Sequence, residues 1–128
     1  MLDITNKLKI VRADAILTNG YVAGTEIVDV EKDNQLMLYI KYIKGSLTSF
    51  QIKVEFSDDG VNYYQQTFES ISSGVNTAVA GYYTFAPAGD QNYVLAIPIK
   101  GSKIKVSAKG TGTVTSSSLQ VRAIIGVA

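Results

Sequence analysis

Cysteine and histidine are both missing from this 128-residue chain, and each absence removes a class of chemistry. Without cysteine there is no disulfide framework, no thiolate nucleophile and no thiol redox couple, a composition that fits a reducing compartment. Without histidine there is no side chain whose unperturbed pKa suits a general base at neutral pH. Charge of one sign is also lacking: 12 basic and 11 acidic residues leave a formal net charge of +1. Such a balance gives no long-range field to gather nucleic acid or anionic lipid. No apolar run is long enough to cross a membrane as a helix. Residues 1–12 alternate polar and apolar side chains and lack the continuous apolar stretch of a secretory signal, so the chain is expected to stay in the cytosol where it is made. Neither nucleic acid nor membrane is an expected partner.

What the chain does contain is alternation. Phe50-Gln51-Ile52-Lys53-Val54-Glu55-Phe56 sets four apolar side chains on one face of a strand and three polar ones on the other. Residues 102–109 and 119–125 repeat the pattern. Ile52, Val54, Ile104, Val106, Val121 and Ala123 are the predicted core. The run 35–43 differs, because Leu36, Leu38, Ile40 and Tyr42 line one face while Met37, Tyr39 and Ile43 occupy much of the other. A strand apolar on both faces is expected to be covered on both. Weaker strand signals span 7–11, 25–30, 63–68, 76–85 with a break at Gly81, and 93–99.

Turn formers separate these runs: Asn19-Gly20, Asp33-Asn34, Lys44-Gly45, Asp58-Asp59-Gly60, Pro87-Ala88-Gly89-Asp90, Gly101 and Gly110-Thr111-Gly112. Strands therefore recur about every ten residues, the spacing of a sandwich or barrel. The best helical candidate, residues 3–15, is too rich in β-branched and alternating residues to hold a helix. Residues 113–118, rich in Ser and Thr, fit a strand extension or a loop equally. No linker, repeat or charge block divides the chain. The expectation is one all-β domain over residues 1–128, an antiparallel β-sandwich of jelly-roll type with about eight strands.

Candidate chemistry is sparse. Asp58-Asp59 is the one adjacent acidic pair, and neighbours in a turn cannot flank a glycosidic bond as a glycosidase requires. The same loop with Asn62 could offer oxygen ligands to calcium, yet its spacing does not match an EF-hand loop, and a solvated turn followed by Gly60 is the simpler reading. Gly110-Thr111-Gly112-Thr113 lacks the lysine and helix of a phosphate-binding loop. Lys7, Lys9, Lys53, Lys103 and Lys105 occupy outward strand positions, where charge discourages edge-to-edge pairing. No catalytic residue, cofactor or metal site is expected, and the chain is read as a non-enzyme.

Tyrosine is the informative residue, with eight copies, among them Tyr39, Tyr42, Tyr63-Tyr64 and Tyr82-Tyr83. Strand neighbours point to opposite faces, so one member of each adjacent pair must face away from a single core. Tyr39, Tyr64 and Tyr83 are therefore the candidate partner-binding residues, set against the alternative that exposed tyrosines are simply favourable on β surfaces.

Residues 50–64 form a strand, a Ser-Asp-Asp-Gly turn and an aromatic-led strand, which resembles a hairpin of discoidin-like carbohydrate-binding or adhesion domains. It also resembles small tailed-bacteriophage virion proteins of the head decoration or auxiliary capsid type. The endings of those virion proteins look like Gly112-Thr113-Val114-Thr115-Ser116-Ser117-Ser118-Leu119-Gln120-Val121-Arg122-Ala123-Ile124-Ile125-Gly126. The discoidin likeness is weakened by the absence of tryptophan and of a cysteine pair. The virion likeness implies a capsid decoration protein that binds the major capsid shell or another virion protein, assembles in the host cytoplasm and forms homo-oligomers. A carbohydrate-binding or adhesion module, and a trimerising base of a phage fibre or tail component, are the alternatives.

Overall fold

Alternating sequence becomes paired strand wherever one face can be buried. The computed structural model describes residues 8–27 and 34–126. Lys7, Glu31, Asp33 and the 28–30 portion of the expected 25–30 strand lie outside the described residues. Eleven strands are present among them: β1 (Leu8–Ala15), β2 (Val22–Ala23), β3 (Gln35–Ile43), β4 (Leu47–Ser57), β5 (Tyr64–Gln65), β6 (Thr67–Ser72), β7 (Val75–Ala80), β8 (Tyr83–Phe85), β9 (Gln91–Pro98), β10 (Lys103–Gly112) and β11 (Ser118–Gly126). No helix occurs among the described residues.

The strands form two facing sheets and a separate hairpin. The first sheet has the order β1-β11-β3-β9, the second β2-β10-β4-β5 with β8 also on β4, and β6 and β7 pair only with each other. Every pairing is antiparallel. Along β4, Phe56 faces Tyr64 and Glu55 faces Gln65, and then Ile52, Gln51 and Phe50 face Tyr83, Thr84 and Phe85. β5 and β8 thus lie end to end in one strand position, interrupted by the excursion of β6 and β7. Setting that hairpin aside and treating β5 with β8 as one leaves eight positions, which the chain visits by crossing repeatedly between the two sheets. This is a jelly-roll sandwich. The expected count of about eight strands is corrected to eleven, because one edge strand is split by an inserted hairpin.

The core is the interdigitated inner faces of the two sheets. Leu36, Leu38, Ile40 and Tyr42 of β3 and Leu119, Val121, Ala123 and Ile125 of β11 meet Phe50, Ile52, Val54 and Phe56 of β4 and Ile104 and Val106 of β10. All six residues predicted for the core are buried, none more than 3% exposed. Burial of this kind stabilises at roughly 25 cal/mol per Å² of apolar surface removed from water.

Two local expectations change. Residues 25–27 do not continue as a strand: only Ile27 bridges to β10, opposite Ile104. The interruption arises because the Thr25 amide turns aside to donate to the Val11 carbonyl at 2.8 Å. Nor do Gly110-Thr111-Gly112 form a turn, since all three remain paired with β4. At Gly110 any Cβ would approach the Leu47 side chain to 2.8 Å, so glycine lets the strand pass over a packed core.

Candidate functional site

The outer surfaces of the two sheets are built differently. On the five-stranded sheet, Tyr21 and Tyr63 fold back over the strands and lysines close on them. Lys53 and Lys109 place their Nζ atoms 4.6 and 4.8 Å from the Tyr21 ring centre, and Lys105 stands 4.0 Å above Tyr63. These are cation–π contacts, with the Tyr21 hydroxyl also donating to Gln51 Oε1 at 3.1 Å. Glu55 lies 3.7 Å from Lys53. The charges of Lys53, Lys105 and Lys109 therefore rest on rings that cover this face.

The outer face of the four-stranded sheet has no such cover among the described residues. Ladder register places Ile10, Arg122, Tyr39 and Val94 in one row across the four strands, and Ile124, Met37 and Ala96 in the next. Ile10 is 59% exposed and Val94 54%. Met37 and Tyr39 are half-buried by their neighbours only. The expectation that β3 is covered on both faces is thus corrected among the described residues: one face enters the core and the other is open, because no described element crosses it. A groove of about 210 Å³ lies in this face beside Tyr39, lined also by Lys41, Asn92, Gln120 and Arg122.

The second feature is the projecting hairpin. Ser73 and Gly74 link β6 to β7 with φ of 52° and 77°. Positive φ at both central residues is the requirement of a type I′ turn, whose twist matches that of the strands it joins. Every residue of β6 and β7 is exposed, including Phe68, Ile71, Val75 and Val79. The hairpin is tied to the sandwich at its base: the Gly81 amide donates to the Gln66 carbonyl at 3.0 Å, and Gln65 Nε2 donates to the Gly81 carbonyl at 2.9 Å. The expected strand at 76–85 with its break at Gly81 is found as β7 and β8, but the expected strand at 63–68 takes in β5 and only the start of β6, so the hairpin itself is missed although a Ser-Gly dipeptide between two alternating runs carries the signal.

Between the sheets, on the β8 and β9 side, an aromatic seam closes the core. Phe50 stacks on Phe85 with ring centres 4.6 Å apart, Phe85 meets Tyr93 at 4.8 Å, and Phe50 meets Tyr42 at 4.4 Å. Further along the same edge the seam opens into a cleft of about 530 Å³, lined by Phe56, Asp58, Tyr64, Gln66, Pro98 and Lys100.

The three candidate tyrosines occupy different places. Tyr39 lies on the open outer face of the four-stranded sheet, opposite Arg122 on one side and Val94 on the other. Tyr64 flanks the cleft and is 63% exposed. Tyr83 packs against the core and brings its hydroxyl within 3.3 Å of Gln66 Oε1. They do not form one surface.

The acidic loop after β4 is organised around its own backbone. Asp59 Oδ1 accepts from the amides of Val61 and Asn62 at 2.8 and 2.9 Å, and Oδ2 accepts from the Asn62 side-chain amide at 3.1 Å. Donation first from the Asn62 and then from the Val61 amide lowers the Asp59 pKa from its usual 3.8 to about 2. Gly60 adopts φ 76°, which the turn needs. Among the described residues no group of three or more acidic, histidine or cysteine side chains is placed to hold a metal ion. The carboxylate is occupied in shaping a turn.

No protein-family model matches the chain, and no curated protein matches it in sequence. Among solved structures it is similar to that of the SPBc2 prophage-derived protein YomS. The two are 16% identical, the match covers 92% of this chain and 89% of that one, and the TM-score is 0.49. No helix of the described residues is long and apolar enough to cross a membrane.

Proposed function

We propose that this chain is a non-catalytic structural protein of a bacteriophage virion, a capsid decoration protein that binds the shell by burying the outer face of its four-stranded sheet. One observation carries the docking role: among the described residues, tyrosines cover the outer face of one sheet, while the other stays open with Ile10, Met37, Tyr39 and Val94 on it. An apolar patch of this kind, rimmed by Lys41, Asn92 and Gln120, is the usual mark of a protein interaction site. The virion assignment adds the likeness of residues 50–64 and 112–126 to decoration proteins. Assembly in the host cytoplasm agrees with a chain that has no cysteine. The function needs no cofactor, metal, nucleic acid or membrane.

Co-sedimentation of the purified chain with shells assembled from the major capsid protein of its own phage tests the assignment. Saturable binding is expected, with Met37→Lys abolishing it while the melting temperature is retained. Absence of binding, or binding indifferent to Met37→Lys, rejects it.

The cleft beside Tyr64 supports a second reading, a carbohydrate-binding module. An exposed ring next to Asp58, Gln66 and Lys100 offers a stacking platform with polar partners. A glycan array separates the two: binding that disappears in Tyr64→Ala selects the module, and no binding selects the virion protein.

A further inference from the structure

We propose that copies of this chain assemble head to tail, the β6–β7 hairpin of one subunit lying across the outer face of the four-stranded sheet of the next, with Glu69 seated in the groove beside Arg122. The proposal rests on the reading of that face as a docking surface and names its occupant, a second copy of the chain.

Charge singles out this occupant. From Val61 to Gly89 the chain carries a single charged residue, Glu69, on the projecting hairpin. The Glu69 side chain forms no ion pair or hydrogen bond with any described residue, and neither does the Arg122 side chain. The groove beside Arg122 contains two cations, Arg122 and Lys41, together with Asn92, Gln120 and Tyr39, and no acid among the described residues lines it. Such a set of donors receives a carboxylate. Each of the two surfaces therefore lacks the charge that the other supplies.

Shape points the same way. Thr67, Glu69 and Ile71 alternate on one face of the hairpin, directly opposite Ala80, Ala78 and Asn76. Glu69 is paired with the methyl group of Ala78, so its carboxylate stands clear of bulky neighbours. Ile71, 71% exposed, lies one alternation nearer the tip, where it can meet the apolar rows that flank Arg122. Six residues per strand give the hairpin a length of roughly 20 Å, and four strands at about 4.8 Å spacing make a platform of similar width. A two-stranded hairpin standing alone in water is only marginally stable, so seating its Thr67, Glu69 and Ile71 face on a partner sheet also supports the arm, while Phe68 on the opposite face packs against Tyr83 of its own sandwich. Because the arm and its receptor are different surfaces, the contact is heterologous and closes into a ring or continues as an open array.

The test is sedimentation velocity of the full chain at increasing concentration, alone and as Glu69→Arg, Arg122→Glu and the double reversal. Both positions are exposed, so all variants should retain the wild-type circular dichroism and melting temperature. The milder Glu69→Gln and Arg122→Gln serve where a reversal perturbs folding. Reversible self-association of the wild type is expected, weakened about tenfold or more by either single reversal and recovered in the double one. A wild type that stays monomeric up to about 1 mM overturns the proposal, since a contact that weak would not assemble. Self-association indifferent to both reversals, or singles that fail without recovery in the double variant, overturns it equally. The hairpin of a neighbour and the shell use the same outer face and so compete for it, and shell binding measured in parallel keeps the two readings distinguishable: a wild type that binds shells but does not self-associate removes only this proposal.

Discussion

Phe68 stands edge-on to Tyr83, with ring centres 5.9 Å apart and planes at 88°, and this contact joins the projecting hairpin to the sandwich. The ring lies directly over Gly81, where a Cβ would come within 2.1 Å of two ring carbons. Gly81→Ala must therefore push Phe68 off Tyr83. An edge-to-face pair is worth about 0.5–1.5 kcal/mol beyond its buried area, and the loss falls on the hairpin. Hydrogen exchange should quicken across residues 67–80 while β3 and β10 stay protected. Equal acceleration throughout would show that the hairpin is an integral part of the core.

Val54 is fully buried and faces Val106 across the ladder between β4 and β10. Val54→Ala removes two methyl groups from the centre of the sandwich and leaves a cavity, at a cost of about 1–3 kcal/mol. The midpoint of a urea titration should fall while the slope is unchanged. A neutral result would mean that the inner face is looser than its geometry implies.

Asp59 links the loop after β4 to pH. Its folded pKa, about 2, lies below the ordinary 3.8, chiefly through donation by the Asn62 and Val61 amides. The unfolded chain therefore takes up the proton first. The contribution is complete above the unfolded value and is lost as pH falls through the folded one. Asp59→Asn carries no such charge, so the gap in melting temperature between wild type and variant should be constant near neutrality and narrow from about pH 4 to pH 2. A gap that persists unchanged to pH 2 would show that the charge of Asp59 is irrelevant to the turn.

The sandwich was legible because its strands bury one face each. Period-2 alternation at 50–56 and 102–109 names β4 and β10, and parity along those strands identifies the inner residues. The hairpin was not legible in the same way. Its residues are exposed on both faces, so Thr67, Glu69 and Ile71 alternate with Phe68 and Ser70 without any burial contrast. The open face of β3 was visible as apolar residues at Met37 and Tyr39, but composition could not say whether the same chain or another covers them. Tyr21 and Tyr63 show the difficulty: both close the opposite sheet through loops that no periodicity describes.

The three candidate tyrosines can now be told apart by one kind of substitution. Tyr83 faces Ile52 across the ladder, packs on the core and meets Gln66, so Tyr83→Ser should lower the melting temperature and impair everything that depends on the fold. Tyr64 is largely in solvent beside the cleft, so Tyr64→Ser should leave both stability and association close to wild type. Tyr39 sits in the centre of the open face, between Arg122 and Val94, and touches the core only through its backbone neighbours Leu38 and Ile40. A central aromatic at an interface typically contributes about 2 kcal/mol or more to binding. Tyr39→Ser should therefore weaken association while the melting temperature of the isolated subunit holds. The measurement is a pair of experiments on each variant, a thermal melt at low concentration and sedimentation at high concentration. If Tyr39→Ser lowers the melting temperature as much as Tyr83→Ser and leaves association unchanged, the outer face of the four-stranded sheet is structural and is not a docking surface.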